Sequence, residues 1–341
     1  MTPTTITYQS RGSARVTTAL SRARAPFGYL ATRAVMAAGA LVVVSILVFG
    51  LVSLLPGDIL VSRLGSQALP EQYQALAAQL GLDRPLWQQY LDWVGGFVRG
   101  DWGVSWMRDE PVSGLVIGRL VNSLMLGTVV LVMLIPLSFG LGIISGLRPG
   151  GVIDRVVSVL GSALLVVPEF VTGVLLLMLF SVQLKWFPVS SAPPADGDFF
   201  ATVRVLILPA IPVVLASFGY LARLIRAGTL EVADAAYVRT ATLKGLSRSR
   251  VIGAHIVRNA VPSSVSVTLL HVGTILGGLV IVEQLFSYSG LGKLIVDSTV
   301  SHDTPVLLAA AMVAGALTLA AIILGDIMLL VLDPRARAGA R

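Results

Sequence analysis

The chain has 341 residues, 55% hydrophobic and 13% charged, against roughly 45–50% and 25% in soluble domains; this excludes an ordinary soluble fold and indicates a membrane protein. Its net charge of +7, from 25 Lys and Arg against 18 Asp and Glu, is the surplus expected of cytoplasmic loops rather than of a nucleic-acid surface. With no cysteine, disulfides and thiolate metal sites are excluded.

Residues 1 to 33 are rich in Ser, Thr, Ala and Arg and carry no acid. Such a composition suits a transit-type presequence, but a full spanning segment follows directly, so a disordered tail held in the cytosol by Arg11, Arg15, Arg22, Arg24 and Arg33 is the expectation. Val35 to Leu55 is an uncharged run of 21 residues, which matches the ~20 needed to cross ~30 Å of hydrocarbon. Five further spans are expected near residues 121 to 146, 156 to 182, 205 to 224, 261 to 284 and 304 to 332. The predicted fold is therefore an all-α membrane protein with six transmembrane helices, a transmembrane domain over 34 to 337 and a short tail, 338 to 341. With the amino terminus inside, 17 of the 25 basic residues fall on the cytoplasmic side, so both termini are expected there.

The outer loop between the first two spans, 56 to 118, is too long to be a simple connector. Within it, residues 86 to 100 place Leu86, Tyr90, Val94 and Phe97 or Val98 at helical spacing, near Trp87, Trp93 and Trp102. That pattern fits a helix lying in the membrane interface, a docking surface for an outer partner, or both.

Glu169 falls near the middle of the third span, where a carboxylate costs about 2.5–3.5 kcal/mol, so it should face protein or water. It either lines a polar pathway or is packed and hydrogen-bonded. Pro168, just before it, should bend the helix. Glu283 and Asp326 lie near span ends, where snorkelling or capping accounts for them. Gly142 with Gly146, and Gly273 with Gly277, have the spacing of closely packed membrane helices.

Several chemistries are missing. Gly292-Lys293 is the only Gly-Lys pair and lacks the flanking residues of a phosphate-binding loop. His255, His271 and His302 fall in a cytoplasmic loop, a span and an outer loop, too dispersed for a metal site. No GxSxG or HExxH occurs, so no catalytic residue is expected. Energy must come from an ion gradient or another subunit.

The cytoplasmic loop, 225 to 260, holds most of the charged stretch Glu231 to Pro262. Val238, Ala241, Thr242 and Gly245 fall on one helical face of small residues that would let a partner approach closely. Gly245 can end that helix, and Ser247 or Ser249 can cap a second one. A solvated basic loop and a docking element both fit.

Here the residues resemble a family. YVRTATLKGLSRSRVIGAHIVRNAVP, Tyr237 to Pro262, is similar to the coupling loop of ABC-importer permeases of the oligopeptide, dipeptide and nickel type. LLPGD (Leu54 to Asp58), LGLDRPLWQQY (Leu80 to Tyr90), RGDWGVS (Arg99 to Ser105), LKWFPVS (Leu184 to Ser190), LARLIRAGTLEV (Leu221 to Val232), VEQLFSYSGLGKLIVD (Val282 to Asp297) and LDPRAR (Leu332 to Arg337) follow in the family's order. Arg239 replaces the Glu of the general coupling pattern, as is common in the peptide branch, and Ser289 stands where Pro is usual. The resemblance implies a multi-pass subunit of a prokaryotic inner membrane, paired with a second permease, two cytoplasmic ATPases that bind ATP and Mg, and an extracytoplasmic substrate-binding protein. It implies no cofactor in this chain, and transport of peptides or a related small solute by alternating access. Tyr237, Val238, Arg239, Thr240, Ala241, Lys244 and Gly245 would contact the ATPase, and Asn122, Pro168 and Glu169 are candidates for the path. From the spans alone, an ion-gradient-driven transporter or channel is the alternative.

Overall fold

A computed structural model describes residues 13–54, 59–65, 67–192 and 198–332; residues 1–12 and the tail after 332 lie outside it. Among the described residues every regular element is helical, apart from one isolated bridge between Val104 and Pro111. Four helices are long and apolar enough to cross a membrane alone: Thr32–Ser53 of α1 (Ser13–Ser53), α5 (Val112–Leu147), α8 (Phe199–Ala233) and Thr304–Met328 of α13 (Thr304–Leu332). Among the described residues, α6 (Val152–Val166) and the following helix pass the test only as a bent pair, which has the form of a broken span or of a re-entrant loop. Where the span near 261 to 284 is expected, α11 (Arg258–Leu285) is present, and His271–Leu285 within it counts as a shorter apolar helix.

The helices overrun the apolar runs that revealed them. α5 has 36 residues, about 54 Å at 1.5 Å per residue, against ~30 Å of hydrocarbon. Hydropathy marks only the lipid-facing length, and residues 112–120, Arg119 among them, belong to the same helix ahead of the expected span. Likewise α1 begins at Ser13, so residues 13–33, expected as a disordered tail, extend the first span as helix.

Pro168 breaks the third span rather than merely bending it. The axes of α6 and Glu169–Gln183 differ by 101°. Proline lacks an N–H and forces the preceding residue out of the helical region; Val167 accordingly has ψ 118°. The chain restarts as α7 (Glu169–Leu176), which runs on as a π-helical stretch, Leu177–Gln183.

α8 forms the centre, packed against α5, α6, α7 and α11. Glycines make this possible. A Cβ on Gly142 would lie 2.8 Å from the Ala222 carbonyl, and one on Gly146 2.7 Å from Thr229 Cβ, so α5 meets α8 nearly backbone to backbone. Gly161 of α6 and Gly219 of α8 touch directly, leaving no room for a methyl group between them. The other spaced pair differs: Gly273 is in ordinary contact with α13 and Gly277 faces open space. Leu126, Val130, Leu134, Leu206, Leu221, Ile225, Leu279 and Val282 fill the main core.

Three short helices occupy the long loop: α2 (Ile59–Leu64), α3 (Pro70–Leu80) and α4 (Leu86–Arg99). α4 is amphipathic as expected, but its aromatic face turns onto the protein. Trp93 stacks on Phe49 of α1 at 5.8 Å, Phe97 on Trp102 at 5.2 Å, and the Tyr90 and Ser45 hydroxyls are 2.9 Å apart. Leu86, Trp87 and Val98 stay exposed.

Candidate functional site

The segment after α8 forms α9 (Ala236–Leu243). Gly245, at φ +76°, reverses the chain, with its N–H donating to the Thr242 carbonyl at 3.0 Å and that of Leu246 to Ala241 at 3.4 Å. This is the left-handed helix stop expected of glycine. Ser247 begins the short α10 (Arg248–Arg250), although its hydroxyl faces Ser249 at 3.4 Å instead of capping a backbone N–H. A π-helical turn, Val251–Val257, then leads into α11.

α9 turns part of its narrow face toward its own chain. Val238 and Ala241, assigned to the contact face, are only 5% and 6% exposed and pack on Val251 and Ile256, with Leu147, Val232 and Ile252 around them. They seat α9 on its own chain. Periodicity identified the narrow face but not which side of the helix it served. Exposed residues are Tyr237, Arg239, Thr240, Thr242, Leu243, Lys244 and Gly245. Leu243, 81% exposed, was not among the expected contacts; a large aliphatic residue at i+3 from Thr240 and beside Lys244 was the available signal.

A polar knot that hydropathy did not reveal joins α5, α6 and α8. Asp154, at the start of α6, accepts from the Arg226 guanidinium of α8 through Nε and through Nη2 (3.0 Å), from Ser145 Oγ of α5 (2.6 Å) and from the Gly150 N–H (2.8 Å). One carboxylate therefore ties three helices together.

At the opposite end, Glu283 is 1% exposed and accepts from Ser123 Oγ (2.5 Å) and from the N–H groups of Gly292 (2.7 Å) and Lys293 (3.1 Å). It caps α12 (Leu291–Val300), the next helix rather than its own. Asn122 does not stand free as a path residue: its Nδ2 donates to Ser289 O, and its backbone carbonyl accepts from the Tyr288 hydroxyl, both at 2.8 Å. Burial first, and the Glu283 charge second, push the Tyr288 phenol above its ordinary range, so it remains a donor. Asp303, just before α13, accepts from Ser105 Oγ and, at 3.0 Å, from the Trp106 N–H, fastening the long loop to the last span.

Glu169 stands apart from these groups. It occupies the first position of α7, after exposed Pro168, where the helix dipole favours a negative charge. Its carboxylate lies over Gly278 of α11. Gly278 precedes Glu283 by five positions, about 7.5 Å of helix rise, so the structure does not bring Asn122 and Glu169 into one cluster. Asp326 pairs with Arg33 at 3.3 Å. His271 stacks on Tyr220, and among the described residues no three His, Asp or Glu converge as metal ligands.

Residues 138–338 match the family described as the binding-protein-dependent transport system inner membrane component, and residues 27–127 match its amino-terminal companion family. The chain is 34% identical over 310 residues to the oligopeptide transport system permease protein AppB of Bacillus subtilis, covering 90% of this chain and 98% of that protein. It is 32% identical over 318 residues to the dipeptide transport system permease protein DppB of Escherichia coli, covering 86% and 94%. Its fold is similar to the crystal structure of an amino acid ABC transporter with histidines, with a TM-score of 0.50, 15% identity, and coverage of 64% and 94%.

Proposed function

The chain belongs to the binding-protein-dependent transport inner-membrane component family, and we propose that it is a permease subunit of an ABC importer for di- or oligopeptides. The observation that carries this is the match to named peptide permeases along nearly the whole chain. The subunit lies in a prokaryotic inner membrane as a six-span protein, α6 with α7 forming the third span and α11 the fifth, with both termini in the cytosol as the basic residues favour. It has no ATPase site; ATP and Mg are held by two cytoplasmic ATPase subunits. A second permease completes the path, and an outer substrate-binding protein delivers to the α4 end.

Tyr237, Arg239, Thr240, Leu243, Lys244 and Gly245 form the face offered to an ATPase, while Val238 and Ala241 hold α9 in place. When ATP closes the ATPase pair, force on α9 reaches α8 through continuous chain and α5 and α6 through Asp154. The permease pair then rocks between inward-open and outward-open states. Pro168 and Glu169 border the path; Asn122 supports it by fixing the loop before α12. No observation favours an ion-gradient mechanism.

Purification from native membranes in mild detergent, followed by mass spectrometry, tests the assignment. A second permease and an ATPase pair should co-purify, and reconstituted vesicles should take up peptide only with ATP. Recovery without an ATPase would remove the reading.

A further inference from the structure

Of the acids in or beside the spans, Asp154, Glu283, Asp303 and Asp326 are each engaged by the partners described above. Among the described residues, Glu169 differs from them: its carboxylate receives no hydrogen bond and no ion pair.

The surroundings of Glu169 leave it open. A Cβ on Gly278 would lie 2.8 Å from Oε2, and Gly277 beside it meets nothing within 4 Å. The residue is partly exposed. A carboxylate near the middle of a span does not face hydrocarbon, so its open side borders water or a ligand. Such a group, without a partner among the described residues, is placed to receive a cation.

We propose that Glu169 is the transient counter-ion for the α-ammonium group of a peptide crossing the membrane. This rests on the peptide-importer reading above. The α-ammonium is common to unmodified peptides whatever their side chains, so one carboxylate recognises the class without reading sequence. A partly exposed single ion pair is also weak, which suits a site that must release its ligand.

The test uses the whole complex, with both permeases, the ATPases and the binding protein, in liposomes, and trialanine as substrate. Glu169→Gln should slow uptake about tenfold at pH 7, as expected for loss of a charge-assisted hydrogen bond, and Glu169→Asp should retain most of the rate. The wild-type to Glu169→Gln ratio is then followed with pH. Amino termini titrate near ~8, so the wild-type advantage should be present at pH 7 and fall toward one as the pH rises and the peptide loses its proton. Requirements of the binding protein are common to both complexes and cancel in the ratio. Equal rates at pH 7, or a ratio that stays constant with pH, overturn the proposal while leaving the importer reading intact. Loss of the second permease from the Glu169→Gln complex also overturns it, because Glu169 then pairs with that subunit. Absence of any peptide uptake by wild type removes the peptide reading itself.

Discussion

Asp154 and Arg226, 72 positions apart, form a two-bond ion pair that joins α6 to α8. Asp154 is nearly buried while Arg226 keeps about a quarter of its side chain exposed. Removing the carboxylate leaves a guanidinium, a hydroxyl and a backbone N–H without their acceptor. Asp154→Ala should destabilise the folded subunit by about 3 kcal/mol, measured as a lower midpoint in thermal unfolding of the purified complex. Arg226→Lys keeps the charge but loses the fork, so it should cost less and should raise the ATP hydrolysed per peptide imported. Unchanged stability in Asp154→Ala would show that the pair does not hold the helices.

Gly245 stands at φ +76°, and a Cβ added to it would meet no atom within 4 Å, so conformation rather than space limits substitution there. Gly245→Val should strain the turn by about 1–2 kcal/mol, leave membrane insertion intact, and uncouple ATP hydrolysis from uptake. Gly245→Asn, which tolerates the left-handed region, should keep both activities. Parallel uptake and ATPase assays decide between backbone conformation and mere smallness as the requirement.

Two neighbouring α9 residues should separate contact from seating. Leu243→Asp places a charge on an exposed apolar side chain and should release the ATPase on washing without lowering the stability of the isolated permease. Val238→Ala removes buried contacts and should destabilise α9 by about 1–2 kcal/mol. Protease sensitivity of the segment around α9, measured alongside ATPase retention, distinguishes them; similar behaviour of the two variants would refute the assignment of faces.

Glu283 accepts from three donors. In Glu283→Gln the amide nitrogen must face one of them, leaving a buried donor unmatched at about 1–3 kcal/mol. Tyr288→Phe loses the single bond to Asn122 and should cost about 1 kcal/mol. Unfolding midpoints should therefore fall more for Glu283→Gln than for Tyr288→Phe.

The apolar runs revealed the helices because lipid exposure demands uniform hydrophobicity, and Pro168 marked the break because proline cannot donate. Gly245 was legible for the same local reason. The Asp154 knot was not, since its members are distant in sequence and each charge near a span end resembles an ordinary loop charge. Spacing found the narrow face of α9 but not that Val238 and Ala241 on it pack against the parent chain while Thr242 and Gly245 stay exposed, because periodicity carries no information about which side meets the parent chain. Asn122 looked available only because its partners, Tyr288 and Ser289, lie more than 160 residues later.

The break at Val167 and Pro168 also bears on how the protein is made. The last carbonyls of α6 and the first N–H groups of α7 lack partners within their own helices, and such groups are costly in lipid. α1, α5 and α13 can each enter the bilayer as complete helices. Cover for that interruption comes from α8, which packs on both α6 and α7, and from α11, which packs on α7, so the helices that shelter the break are made after the helices they shelter.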